Sequence, residues 1–325
     1  MRLSVTGMAC LGSFGSGIDT LVSAPPLVPS REDGRAPDAD TAPLKDRLPA
    51  RALRQMDRFS RMALLCLLQA LDDAGLSPET DLADTGIILA TGYGPATPTF
   101  AYLDSILAHG EAMASPLSFS HSVHNIPAAT LALTLGLAGP CATICQLAGS
   151  VAAALATTQL WLDEGRVTRV LLGAVDEHTP TLATTTARLV AERARPAPRE
   201  GIRHTLPVSE GAAFFCLDAA PAAKYGHAGD IAMRRGTAAD FASFVTGKTQ
   251  AGAPVFLSGA LPLSLLALPG TRHAATAYGN LPVAQALDLV LALKGLEPEG
   301  GEACCCAFGV HGEISSITVS RDGAS

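Results

Sequence analysis

Apolar positions along the chain recur with two periods. In DRFSRMALLCLLQALDDAGL, residues 57–76, they return at helical spacing and stop at a glycine, which predicts a helix with one wide buried face. TGIILATGYG, residues 85–94, and RVTRVLLGAVDE, residues 166–177, are unbroken aliphatic runs, the pattern of strands covered on both faces. The opening MRLSVTGMACLG alternates and breaks at glycines like a first strand. GLAGPCATICQLAGS supplies another strand, turning abruptly into SVAAALATTQLWLDEG, a helix whose small side chains allow burial all round. SEGAAFFCLDA, residues 209–219, is a further strand, reached through a polar segment that runs to Arg199. Residues 24–50 are rich in proline and charge and have no period, so they predict a surface loop. The last third is plainer: PVFLSGA, a helix in LPVAQALDLVLALKGL, and two strands round a glycine turn in ACCCAFGVHGEISSITVSR. Strands alternating with helices predict an α/β layered architecture.

Composition narrows the class. Hydrophobic residues make up 48% of the 325 and charged ones 16%, as in a densely packed globular protein. The net charge of −7 argues against a nucleic-acid footprint, which needs clustered positive charge. The eight cysteines include no CxxC pair with metal-ligand spacing, and most sit in apolar segments. They are expected to be reduced, buried thiols of a cytoplasmic protein, without metal or cofactor. The first residues lack the basic and apolar regions of a signal peptide, and no apolar run is clean and long enough for a membrane span.

Several segments, in order along nearly the whole chain, resemble the β-ketoacyl synthases of the thiolase-fold superfamily. They are the early helix, the strand closing in TGYG, SPLSFSHSVHNIPAATLALTLGLAGPCATI, the VDE turn, the SEGA strand and the last glycine turn in CAFGVHGE. The resemblance implies a layered αβαβα fold of two related halves, here residues 1–219 and a shortened 220–325. It also implies a dimer and a tunnel leading to a cysteine flanked by two histidines. The cysteine must ionise to accept an acyl group, which a helix N-terminus favours. The histidines must converge on one carbonyl to stabilise the charge that develops there. Counted from Gly139-Pro140, the cysteine position falls on Ala148, and the two histidine positions fall near Ser258 and Thr276, with the lysine that precedes the second near Thr271. The phenylalanine that gates acyl entry corresponds to Val310.

Other side chains deserve weighing for chemistry. Cys145 is an alternative nucleophile, with His124 or His273 as base, although a strand cysteine lacks the helix dipole; the plainer expectation is a small buried hydrophobe. His121 and His124 suit hydrogen bonding to backbone, and Asn125 suits fixing the turn before Ile126-Pro127. Phe119, Gln146 and His311 join these as expected pocket or interface residues. Adjacent Asp176 and Glu177 are expected to cap backbone and face solvent. Arg51, Arg54, Arg58 and Arg61 form a basic group that is either a solvated face or a contact for an acyl carrier protein. Cys304, Cys305 and Cys306 are expected in the core, because neighbouring side chains of a strand face opposite ways. The chemistry-bearing positions of the family are thus replaced. What the resemblance implies is a subunit similar to chain length factors, which pairs with an active β-ketoacyl synthase, or with itself, and shapes an acyl pocket. The alternatives are an active acyl-transferring enzyme using Cys145 and a stand-alone scaffold of the same fold.

Overall fold

The aliphatic runs at Leu3–Gly12 (β1), Thr85–Thr91 (β3), Cys141–Cys145 (β4), Arg169–Asp176 (β5) and Gly211–Asp218 (β6) form one half of a mixed sheet. The other half contains Gly226–Arg235 (β7), Val255–Ser258 (β8), Thr271–Arg272 (β9), Gly301–Phe308 (β10) and Glu313–Arg321 (β11). A two-residue strand, Gly15–Ser16 (β2), folds back on β1. The coordinates are a computed structural model that describes residues 2–30, 32–77, 82, 84–193, 206–219, 222–259, 261 and 263–323.

Strand order is β4-β3-β5-β6-β1-β7-β11-β10-β8-β9. In the first half β3 is parallel to β4 and β5, and β6 is antiparallel to β5 and β1. The second half repeats this pattern: β8 is parallel to β9 and β10, and β11 is antiparallel to β10 and β7. The two half-sheets become one where Leu3, Ser4 and Val5 pair with Ala228, His227 and Gly226.

Three cores separate the layers. The helix Arg58–Ala74 (α1) packs its Phe59, Met62 and Leu67 face over the first half-sheet. Asp57 caps it by accepting the Ser60 N–H, and Gly75 ends it at φ 70°, a left-handed stop that glycine reaches without strain. Its close approach to β1 requires Gly7, where a Cβ would lie 2.5 Å from the Ala74 methyl. Ser150–Asp163 (α5) and Ala284–Lys294 (α8) share the middle core between the half-sheets. Ala238–Gln250 (α7) covers the far side of β8 and β10 through Phe241 and Val245. The outcome is the thiolase-like αβαβα layering.

The sequence pattern misses several elements. Ala96–His109 (α2), Pro116–Ser122 (α3) and Ile126–Leu135 (α4) lie between β3 and β4 and bury little, α2 only Ala96 and Pro98. The polar segment after Glu177, to which the pattern assigns no element, contains the helix Pro180–Arg193 (α6). Strand β7 alternates poorly, being exposed over Ala232–Arg235. Residues 24–50 are pinned as well as exposed: Leu27 N–H donates to Thr276 O at 2.7 Å and Ala36 N–H to Val208 O at 2.8 Å. No helix among the described residues is long and apolar enough to cross a membrane.

Candidate functional site

The edge strand β4 ends at Cys145, and α5 begins at Ser150 after four intervening residues. The turn falls on Leu147, at φ 48°, a left-handed conformation that costs an L-residue about 1–2 kcal/mol. Ala148, the position obtained by counting from Gly139-Pro140, is the next residue and lies within the short turn Leu147–Gly149. Buried Ser150 fastens this elbow: its Oγ is 2.6 Å from Thr91 O and 2.8 Å from Leu147 O and accepts the Gln146 N–H at 2.8 Å. A strand-to-helix elbow of this kind aims one side chain into the space beyond the strand ends. Here that side chain is aliphatic.

A cavity of about 570 Å³ opens beside it. One wall is Gly92, Cys145, Gln146, Leu147 and Gly149; the other comes from the second half, where Met233 and Arg235 of β7 stand beside Ser315 and Glu313 of β11. Arg234 also reaches the cavity, but its guanidinium lies 4.7 Å over the Phe244 ring and donates to Asp240 O. Leu147, Met233, Arg235 and Glu313 are site residues the sequence does not point to, since only the register of two non-adjacent strands brings them together.

Asp176 holds the rim. It is fully buried, not solvated, and accepts from Thr91 Oγ1 at 2.9 Å and from the N–H groups of Gly92 and Tyr93 at 3.0 Å. Burial raises its pKa to about 6 against the pull of these donors and the Val283 N–H. Its neighbour Glu177 is also buried, accepts the Thr97 N–H at 2.7 Å and is raised to about 7 by burial. Capping was expected of the pair and is present; solvent exposure is not, because both side chains turn inward at the end of β5.

Cys145 is exposed rather than buried, since it sits on the open edge of β4. Its thiol donates to Gly92 O at 3.3 Å, and desolvation, then the Asp176 charge, push its pKa up. The nearest sulfur to the elbow is therefore a neutral thiol. His124 packs its ring where a Cβ on Gly94 would stand, and His273 Nε2 lies 2.9 Å from Gly259 O, so each is engaged with a glycine of another loop. His121 bonds the Asp57 carboxylate at 3.3 Å, a side-chain partner in place of the expected backbone one. Asn125 N-caps α4 without a side-chain hydrogen bond.

Ser258 and Thr276 diverge. Ser258 is buried and donates to Asp288 Oδ2 at 2.6 Å, which also accepts from Tyr278 OH at 2.9 Å. Burial raises Asp288 to about 7, although both hydroxyls oppose the shift. Thr276 is exposed, and its carbonyl holds Leu27. Pro282 of the second half packs on the turn after β3: a Cβ on Gly92 would come within 2.1 Å of it. Thr271 donates to Leu268 O within β9. Val310 is 61% exposed, which removes it from the cavity, and His311 N–H donates to Glu313 Oε2 at 3.0 Å.

The four arginines split. Arg51 and Arg54 are exposed, whereas Arg58 is half-buried in an ion pair with the buried Glu210 and donates to Ala39 O at 2.8 Å, and Arg61 donates to Leu53 O at 2.6 Å. Asp38, His178 and Glu210 lie close enough to share a metal ion, but the Arg58 guanidinium already supplies the positive charge at Glu210. Around β4, Leu107, Met113, Leu117, Phe119 and Leu133 are exposed on the adjoining α2–α4 surface, with Phe119 against Tyr102 at 5.3 Å.

Comparison with known proteins agrees with this architecture. Among solved structures, the ishigamide ketosynthase/chain length factor superposes with a TM-score of 0.76 at 18% identity, covering 99% of this chain and 100% of that one. A β-ketoacyl synthase from Burkholderia phymatum STM815 gives a TM-score of 0.78 at 17% identity, covering 98% and 99%. In sequence, an actinorhodin polyketide β-ketoacyl synthase 1 of Streptomyces coelicolor is 28% identical over 198 residues, 56% of this chain. The match spans only 42% of that protein's length. Residues 28–219 match the family described as Beta-ketoacyl synthase, N-terminal domain. That domain takes in more than half of the residues, among them the elbow, Asp176 and Glu210, and the chain accordingly belongs to the β-ketoacyl synthase family.

Proposed function

We propose that this chain is a non-catalytic, chain-length-factor-like subunit that pairs with an active β-ketoacyl synthase and walls the pocket in which its acyl chain grows. The observation that carries the reading is Leu147 at the point of the elbow, with the nearest thiol, Cys145, kept neutral and His273 occupied by Gly259 O. A thiol nucleophile must ionise, and the groups around Cys145 oppose ionisation. The resemblance of the fold to a ketosynthase/chain length factor supports the same view.

The surface for pairing is the free edge of β4 with the exposed apolar side chains of α2–α4. An open strand edge beside exposed leucines invites another chain. An acyl carrier protein, which is acidic in this family, would be met by Arg51 and Arg54, the exposed members of the basic group.

Co-expression with a full-length β-ketoacyl synthase tests the pairing: a stable one-to-one complex is expected, and Leu133→Asp, on the exposed interface surface, should weaken it. Persistent separation of the two chains under co-expression refutes the reading. Intact mass after incubation with acyl-carrier-bound substrate should show no acyl adduct. An adduct lost in Cys145→Ala would establish the alternative, an acyl-transferring enzyme.

A further inference from the structure

The Cys304–Cys306 run has no part in the site above. Cys305 enters the middle core, whereas Cys304 and Cys306 lie on the opposite face of β10, in the core beneath α7. Their Sγ atoms are 3.6 Å apart. Residues two apart on a strand have Cα atoms separated by about 6.6 Å, so the two thiols lean toward one another.

A disulfide does not fit this spacing. It needs Cβ atoms about 3.5–4.5 Å apart, and shortening the strand that far would buckle β10 between β8 and β11, to which it is paired on either side. Placing an atom between the sulfurs requires no backbone movement. Metal–sulfur bonds of about 2.3 Å bridge such a pair at an angle of roughly 100°, and side-chain rotation widens it.

The surroundings select the ion. Phe241, Val245, Val255 and Leu257 make the surroundings apolar, and among the described residues no third sulfur, imidazole or carboxylate groups with the pair. A four-ligand ion such as Zn²⁺ is left unsatisfied. A soft cation content with two thiolates is suited, and its single charge keeps the cost of burial low. Lys248 of α7 supplies the balancing charge. The Lys248 ammonium acts on both sulfurs.

The geometry points to a buried two-coordinate site for Cu(I) between Cys304 and Cys306. Binding forms two S–Cu bonds, releases the two thiol protons to buffer and changes no oxidation state. One net negative charge remains, facing Lys248. The site is remote from the elbow cavity and independent of the pairing reading.

The test uses the full chain, anaerobic, with the exposed Cys141 and Cys145 replaced by serine and Cu(I) presented on a chromogenic chelator. One equivalent per chain should be withdrawn from the chelator. Cys304→Ser and Cys306→Ser should each lose it, and Cys305→Ser, on the other face, should keep it. Should a serine in the core unfold the chain, X-ray absorption at the copper edge of the copper-loaded parent gives a separate reading: two sulfur neighbours and no nitrogen. No copper taken by the folded chain, a shell containing nitrogen or more sulfurs, or retention in both serine variants overturns the site.

Discussion

In the first half, β4 passes into α5 through Gln146, Leu147, Ala148 and Gly149; in the second, β9 passes into α8 through residues 273–283, although the strands around both are paired alike. The short connection makes a tight elbow closed by one serine hydroxyl and leaves a cavity in front of it. The longer one carries a helical turn, Ala275–Tyr278, which lays the Tyr278 hydroxyl beside Ser258 on Asp288, all three side chains buried. Open and sealed ends thus arise from one frame, and connection length decides which forms.

Variants at these ends break or sharpen the contrast. The largest effect is expected where the ends touch: Gly92→Val drives a side chain into Pro282, a rigid neighbour, and should cost about 3 kcal/mol or more in urea unfolding. Next is Asp288→Ala, which leaves two buried hydroxyls without an acceptor and should cost about 2–3 kcal/mol. The same carboxyl makes stability depend on pH. Asp288 rises from 3.8 to about 7 on folding, and Asp176 and Glu177 rise to about 6 and about 7. The folded state then holds more protons than the unfolded one across that window. Stability should be full below pH ~4 and lost as pH rises through about 7, and Asp288→Asn should flatten part of the slope in urea midpoints.

Smaller effects are expected at the elbow. Leu147→Val places a β-branched residue at φ 48° and should cost about 1–2 kcal/mol, whereas Leu147→Gly should be nearly neutral by the same assay. Cys145→Ser changes an exposed edge atom and should move the midpoint by less than about 0.5 kcal/mol. A large loss there would mean that the strand edge is tied down more firmly than its single sulfur contact implies.

The fold was largely legible, because β3, β5 and β6 are buried on both faces and announce themselves as aliphatic runs. α2 and α3 were not, since they bury almost none of their side chains, and α4 is short, with only Pro127, Ala128, Leu131 and Leu135 buried in a run that is apolar nearly all round. The candidate site was read in outline: GPCATICQLAGS does form a strand, elbow and helix. The left-handed turn at Leu147, next to Ala148, escaped because such a residue has no signature in composition. Arg235 and Glu313 escaped because they face one another only through the pairing of β7 with β11.

The proline-rich segment has a last consequence. Arg35 bridges to Val208, and Val208 bridges in turn to Asn280, while Leu27 is bound to Thr276. What reads as slack between two elements is a row of stitches that crosses from the first half to the second. A protease that cuts between Leu27 and Ala36, or a tag inserted there, would act on the seam of the molecule, and the halves should then loosen before either one melts.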